Sequence, residues 1–260
     1  MEMRSVMKNI LLLMALFACM AKANDTTKHL EIGIEEKTGN TIPMNTEFFD
    51  EKGNLVALKD IVKKPTIFNF VYFRCPGICS PTLTELTSIV NFIDMEIGKD
   101  FQIVTISFDD REKFELGAAK KESYMGLLKK QIPDDSWKFL TGDSASIHQV
   151  TDAAGFYFKR EGNDFIHAGA LVVVSPEGKI ARYLNGVKFL PFDVKMALTE
   201  AAQGMTGPTI AKLVAYCYSY NPEGRTYVFN VTRAAGGVIL LFAAVFVVYL
   251  TVKPKKKVQS

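Results

Sequence analysis

Thr66-Ile67-Phe68-Asn69-Phe70-Val71-Tyr72-Phe73-Arg74-Cys75-Pro76-Gly77-Ile78-Cys79-Ser80-Pro81 is the stretch on which the fold turns. Its first eight residues are mostly β-branched or aromatic, the composition of a strand buried on both faces. Ser80 offers a helix N-cap, and Pro81 suits the first helical position. Beyond them Leu83, Leu86, Val90, Ile93 and Ile97 recur at close to 3.6 residues, so the spacing predicts a helix ending at Gly98. Cys75 and Cys79 therefore stand on the lip of a sheet, between a buried strand and a helix N-terminus.

Working outward, Phe101 to Phe108 reads as a second strand, Glu112 to Lys130 as helix, and Trp137 to Leu140 as a short strand. Ser144 to Ala154 is a helix opened by Asp143 or Ser144. Phe165 to Ser175 and Lys179 to Leu184 flank the turn signal Pro176-Glu177-Gly178, and Phe192 to Ala202 closes the domain as a helix. The order implies an α/β fold, a mixed central sheet covered by helices, over residues 60–203. Residues 24–59 form an N-terminal extension with a short hairpin around Phe48 to Val56.

Of the 260 residues 48% are hydrophobic and 23% charged, which excludes a disordered or collagen-like chain. The net charge of +3 comes from the ends: residues 24–252 carry 24 Lys/Arg against 27 Asp/Glu. No nucleic-acid-binding face is expected. Residues 1–23 combine Arg4 and Lys8, an apolar run from Ile10 to Ala21, and Ala21-Lys22-Ala23, a secretory signal peptide cleaved after Ala23. Cys19 weakly resembles a lipoprotein cleavage site, but the bulky Phe17 argues against it. Residues 234–252 lack charge and precede Lys253, Lys255, Lys256 and Lys257, so they are expected to span a bilayer with the basic tail, 253–260, in the cytoplasm. Tyr216, Tyr218, Tyr220 and Tyr227, in the connector 204–233, suit an interfacial belt. The expected product is an export-side domain tethered to a bacterial plasma membrane.

Without the signal peptide three cysteines remain: Cys75, Cys79 and Cys217. An odd number in an oxidising compartment allows at most one intramolecular bridge. The partial positive charge of the helix N-terminus favours a thiolate at Cys79, both nucleophile and metal ligand. Position alone leaves redox chemistry and metal binding open. Ile210, Leu213, Val214 and Cys217 fall on one face of an amphipathic helix, where packing accounts for the third thiol. Among the histidines, His29 is placed in solvent and His148 on a helix surface. His167 stands at the entrance to the strand Leu171 to Val174; spacing favours a hydrogen-bonded strand-edge histidine over a ligand.

Phe73-Arg74-Cys75-Pro76-Gly77-Ile78-Cys79-Ser80-Pro81 resembles the copper-binding loop of the SCO/SenC proteins. Ile106-Ser107-Phe108-Asp109-Asp110-Arg111-Glu112 is similar to their acidic segment, and Phe165-Ile166-His167-Ala168 leading to Ser175-Pro176-Glu177-Gly178-Lys179 to their histidine strand and hairpin. The resemblance implies a thioredoxin-like fold with Cys75, Cys79 and His167 as copper ligands. It also implies a role in maturing the copper centre of cytochrome c oxidase, whose copper-bearing subunit would be the partner. On this reading the chain is a membrane-anchored copper chaperone, with Cu(I) or Cu(II) on two soft sulfurs and a borderline imidazole. The alternative is a thiol-disulfide oxidoreductase that uses Cys75 and Cys79 to reduce the subunit's cysteines. Three residues rather than two separate the cysteines, and no proline follows His167 to form the cis turn of general disulfide reductases; both features favour metal. A peroxiredoxin-like peroxidase would keep its reactive cysteine isolated, and structural zinc wants four ligands.

Overall fold

The computed structural model describes residues 31–206, 218–221 and 226–229. The expected signal peptide, His29, Cys217, the apolar span 234–252 and the basic tail lie outside the described residues, within which no helix is long and apolar enough to cross a membrane.

Along the chain, β1 (Gly33–Ile34), β2 (Glu47–Phe49), β3 (Leu55–Ala57) and α1 (Leu58–Ile61) precede β4 (Thr66–Val71) and α2 (Cys79–Phe92). Then come β5 (Gln102–Ser107), α3 (Phe114–Met125), β6 (Trp137–Leu140), α4 (Ser144–Ala153), β7 (Phe156–Glu161) and β8 (Asp164–His167). The domain closes with β9 (Ala170–Val174), β10 (Ile180–Asn185) and α5 (Pro191–Ala202); β11 (Tyr218–Asn221) and β12 (Thr226–Phe229) pair with each other.

All six residues of β4 are buried, as its composition requires, and the strand lies at the centre of a five-stranded sheet ordered β10-β9-β4-β5-β6. β4, β5 and β6 run parallel, and β9 is antiparallel to both of its neighbours, β4 and β10. The strand–helix–strand unit β4-α2-β5 followed by the β9-β10 hairpin and α5 is the thioredoxin-like arrangement that the family resemblance implies. Register places Asn69, Thr105 and Phe139 side by side on one face, where Trp137 Nε1 donates to Thr105 Oγ1 at 2.9 Å. The other face carries Phe68 and Phe70, and Phe70 meets Phe156 of β7 at 5.1 Å between ring centres.

Several boundaries differ from the sequence reading, each for a local reason. Helix α2 stops at Phe92 because Ile93 turns extended; Ile93 and Ile97 stay buried, as loop residues. Helix α3 stops at Met125, and after Gly126 the chain continues in tight turns closed by Leu127 N–H to Tyr124 O and Leu128 N–H to Met125 O. The expected long strand from Phe165 to Ser175 is two strands in two sheets. It breaks at Ala168-Gly169, where the Gly169 carbonyl accepts from Gly186 N–H at 2.8 Å. A side chain at Gly169 would press a Cβ to 2.9 Å from Val187 and 3.0 Å from the Gly186 carbonyl oxygen. Strand β7, which the sequence reading lacks, pairs with both β1 and β8 to form a second sheet.

The hairpin expected around Phe48 to Val56 forms as β2 and β3, with Phe48 fully buried. Glu51 in its turn is buried and accepts from Lys121 Nζ of α3 at 2.6 Å and from the Phe139 N–H of β6 at 3.2 Å, with Lys138 Nζ 3.7 Å away. Lys121 also pairs with Asp134 at 2.8 Å and Lys138 with Asp135, both exposed carboxylates, so losing the Glu51 charge leaves the buried lysines only partly unmatched, at a cost of about 1–3 kcal/mol. Glu51→Gln is therefore expected to destabilise the domain by about that amount, read as a lower urea midpoint at unchanged slope. A loss under about 1 kcal/mol would show that Lys121 and Lys138 are satisfied without Glu51.

Candidate metal centre

The site is built where β4 runs out. Phe108 N–H donates to Val71 O at 2.8 Å, which carries the β4–β5 pairing one step past the regular strands. The chain is then captured by Glu112, a carboxylate only 1% exposed. Its Oε2 accepts from Phe73 N–H at 2.7 Å and from the Ser107 hydroxyl at 2.6 Å, and its Oε1 accepts from Arg74 N–H at 2.8 Å. A buried carboxylate is costly unless hydrogen-bonded, and these three donors meet that cost. They also hold the two residues before Cys75 rigidly against the end of β5.

From there the loop turns tightly, with Cys75 N–H donating to Tyr72 O at 3.2 Å. Helix α2 begins at Cys79, and its N-cap residue, Ile78, has no side chain able to cap. Ser80 therefore lies inside the first turn and does not serve as the expected cap. The Cys75 sulfur occupies the capping place: Gly77 N–H donates to Sγ at 3.3 Å, and the Cys79 backbone N–H also points at it.

This moves the thiolate. The helix N-terminus suggests ionisation at Cys79, but the donors converge on Cys75. The Cys79 thiol donates to it, joined by the backbone N–H groups of Cys79 and Gly77 and by the Tyr72 hydroxyl, and the Cys75 thiol falls to about 4 against the opposing effect of burial. Cys79 moves up, out of the ordinary thiol range, because its proton is engaged by Cys75, because it is buried, and because Glu112 is negative nearby. The Tyr72 hydroxyl is raised by burial and by its contact with Cys75. The metal-free, reduced site thus holds one thiolate and one thiol, both cysteines being free.

His167 ends β8, opposite Phe158 of β7. Its Nδ1 lies 2.9 Å from the Ala168 carbonyl oxygen, which can only accept, so Nδ1 carries the proton and Nε2 keeps a lone pair. That Nε2 lies 3.6 Å from Cys79 Sγ. The backbone hydrogen bond expected of a strand-edge histidine and the exposed lone pair wanted in a ligand belong to the same ring. Phe108 and Tyr72 hold the ring edge-to-face at 5.0 and 5.9 Å. The ligand atoms of Cys75, Cys79 and His167 all lie within 4.8 Å of one another. His148 lies on the exposed face of α4, stacked on Phe158 at 5.1 Å, outside this set.

Three supporting residues have no role in the sequence reading. Glu112 sets the loop and Tyr72 donates to Cys75. The third, Asp109, only 2% exposed, accepts from Arg111 of its own loop at 2.9 Å and from Arg160 of β7 at 3.1 Å. Arg160 also lies over the Phe165 ring at 4.4 Å, so Asp109 fastens the histidine hairpin to the end of β5. The one signal available was the acidic run Asp109-Asp110-Arg111-Glu112 directly after a buried strand, where exposed acids have no packing reason to cluster.

A family model described as SCO1/SenC matches residues 35–202. A relative from Bacillus subtilis (strain 168), the SCO1 protein homolog, is 27% identical over 162 residues, 58% of this chain and 80% of the relative. Among solved structures, a putative electron transfer protein from Aquifex aeolicus VF5 is 29% identical and superposes with a TM-score of 0.59 over 64% of this chain and 95% of its own. Arabidopsis thaliana ScoI, solved with copper bound, is 20% identical with a TM-score of 0.51 over 61% of this chain and 96% of its own, a likeness of fold.

The thiolate placement has a direct consequence for pH. Because the folded Cys75 thiol lies at about 4 and an unfolded thiol near 8.5, the stabilisation from its thiolate is complete above about 8.5 and is lost as pH falls through about 4. In reduced, metal-free protein, one unit of thiolate ultraviolet absorbance is expected to persist through neutral pH and fade only on approach to 4. Cys75→Ser should remove it. If the difference between wild type and Cys75→Ser vanishes already below pH 8, the thiolate is not at Cys75.

Proposed function

The chain belongs to the SCO1/SenC family, and from that premise we propose that it holds copper on Cys75, Cys79 and His167 and delivers it to the copper-bearing subunit of cytochrome c oxidase. The observation that carries this reading is the convergence of two sulfurs and one imidazole nitrogen within 4.8 Å, at the rim of a sheet. Two thiolates and an imidazole suit Cu(I) and can hold Cu(II), and a three-coordinate set leaves one direction open to an entering ligand. His167 is only half-buried, so the set is reachable from solvent on the histidine side. The carbonyl hydrogen bond on Nδ1 fixes the ring and its tautomer before metal arrives, as second-shell partners do.

The proton on Cys79 enters the chemistry. Cu(I) taken up by the reduced site meets one thiolate already formed and displaces one proton from the other thiol, so uptake at neutral pH releases about one proton rather than two. Oxidation of the pair to a disulfide removes both thiolates and ejects the metal. Copper holding and thiol exchange are then alternative states of one site. The second reading, reduction of the subunit's cysteines, draws support from the asymmetry of the pair: an ionised Cys75 able to attack and a buried, protonated Cys79 able to resolve.

The domain works, on this proposal, on the export side of a bacterial plasma membrane. The signal sequence of residues 1–23 and the span 234–252 with its basic tail support that orientation. Protease added to intact spheroplasts is expected to digest the domain; a protected domain with a cleaved C-terminal tail reverses the topology.

His167→Ala separates the two activities. It should weaken Cu(II) more than Cu(I), since a bis-thiolate still holds Cu(I), and leave the dithiol potential nearly unchanged. A strain carrying it is expected to lose oxidase activity and regain part of it with added copper. Full activity without added copper would overturn delivery in favour of reduction. Glu112→Ala, which touches no metal, should cost roughly 10–100-fold in copper affinity through the loop it positions. An unchanged affinity would remove Glu112 from the site's support.

A further inference from the structure

Helix α2 connects the copper site to a second surface. It spans 14 residues from Cys79 to Phe92, about 20 Å along its axis at 1.5 Å per residue. Phe92 is 67% exposed there, an unusual position for a phenylalanine at a helix end. Beside it, in the turns after α3, Leu127 is 55% exposed, and the Asn91 side chain ties the two segments by accepting from Lys129 N–H at 2.8 Å. Two large apolar groups therefore share one end of the domain, adjoining a surface cleft of about 340 Å³ whose lining includes Met125 and Leu128.

The surrounding charge is positive. Lys129 lies over the Phe92 ring at 4.8 Å, and Lys130 follows it; among the described residues neither is ion-paired. The neighbouring acids after α2 are engaged, Asp94 by Lys195 at 3.0 Å and Glu96 by Lys99 at 3.4 Å, which leaves Glu122 on the last turn of α3. Exposed apolar side chains flanked by unpaired lysines match the bilayer interface, where the apolar groups enter the headgroup layer and the ammonium groups reach phosphate.

We propose that this end of the domain docks on an anionic membrane surface, with Phe92 and Leu127 inserted at the headgroup level and Lys129 and Lys130 on lipid phosphates. The inference rests on the membrane tether proposed above, which supplies the proximity that makes a small patch sufficient. Its consequence is orientation: with Phe92 at the membrane, Cys79 stands about 20 Å above it and the metal site faces away from the lipid. A tether alone leaves the domain free to tumble. Docking would present the site at one height to a membrane-bound partner. Each lysine near an anionic surface contributes roughly fivefold to the docked population.

The test uses the full chain reconstituted in vesicles of mixed phosphatidylcholine and phosphatidylglycerol, with brominated acyl chains as quencher. The single native Trp137 is fully buried and gives a constant background. Phe92→Trp is expected to give blue-shifted, bromolipid-quenched emission, with Leu127→Trp as an independent reporter. Ile166→Trp, at an exposed site beside His167 at the metal-site end of the domain, should remain unquenched. Charge reversal at Lys129 and Lys130, or vesicles of phosphatidylcholine alone, should abolish quenching at 92 while the protein still floats with the vesicles. A chain that floats but shows no quenching at either 92 or 127, or equal quenching at 166, overturns the docked orientation and leaves the tether standing. A chain that fails to float with anionic vesicles overturns both.

Discussion

Everything at the site depends on the three hydrogen bonds to Glu112. The end of a parallel strand is a weak place to fix geometry, because the ladder has stopped and the chain is about to enter a loop. A buried carboxylate at the end of β5 solves this by accepting the N–H groups of Phe73 and Arg74, which the ladder no longer pairs. Its own desolvation is offset by those donors and by Ser107. The same negative charge discourages a second thiolate at Cys79. One interaction thus positions the loop and biases the protonation of the cysteine pair.

The two halves of the site come from opposite sides of the sheet's end. The cysteines ride on the β4–α2 connection, and the histidine arrives on β8, in a separate small sheet. Aromatic packing and one ion-pair cluster close the gap. Tyr72 and Phe108 contact the His167 ring, while Asp109 reaches Arg160 on the strand that pairs with β8. These are contacts between groups far apart in the chain, so the candidate ligand set is a product of the whole fold. Its asymmetry, one thiolate and one thiol before metal arrives, follows from the loop placing Cys75, and not Cys79, over the helix N-terminus.

The strands and the position of the cysteines were legible in the sequence because burial on both faces writes itself as a run of apolar residues, and β6 falls within the bounds that its short apolar run suggests. Helix ends were less legible: Ile93 and Ile97 continue the apolar period of α2, yet they are buried from a loop. Strand β7 went unread because its outer half, Lys159-Arg160-Glu161, is exposed and charged, which hides the Phe156 and Phe158 alternation. The break before β9 depends on how closely Gly169 meets Gly186, a contact across seventeen residues that local pattern does not register. For His167, spacing alone favours a hydrogen-bonded histidine and the family resemblance favours a ligand; the Nδ1 hydrogen bond and the Nε2 turned to Cys79 reconcile the two.

The central claim is that copper sits on two sulfurs and one imidazole supplied by Cys75, Cys79 and His167. X-ray absorption at the copper edge of the copper-loaded chain tests it most directly, read on wild type and on His167→Ala. The account predicts two sulfur scatterers and one histidine nitrogen in the wild type, and loss of the imidazole scattering with both sulfurs retained in the variant. A first shell of nitrogen and oxygen alone, or an imidazole signal that survives His167→Ala, would contradict it.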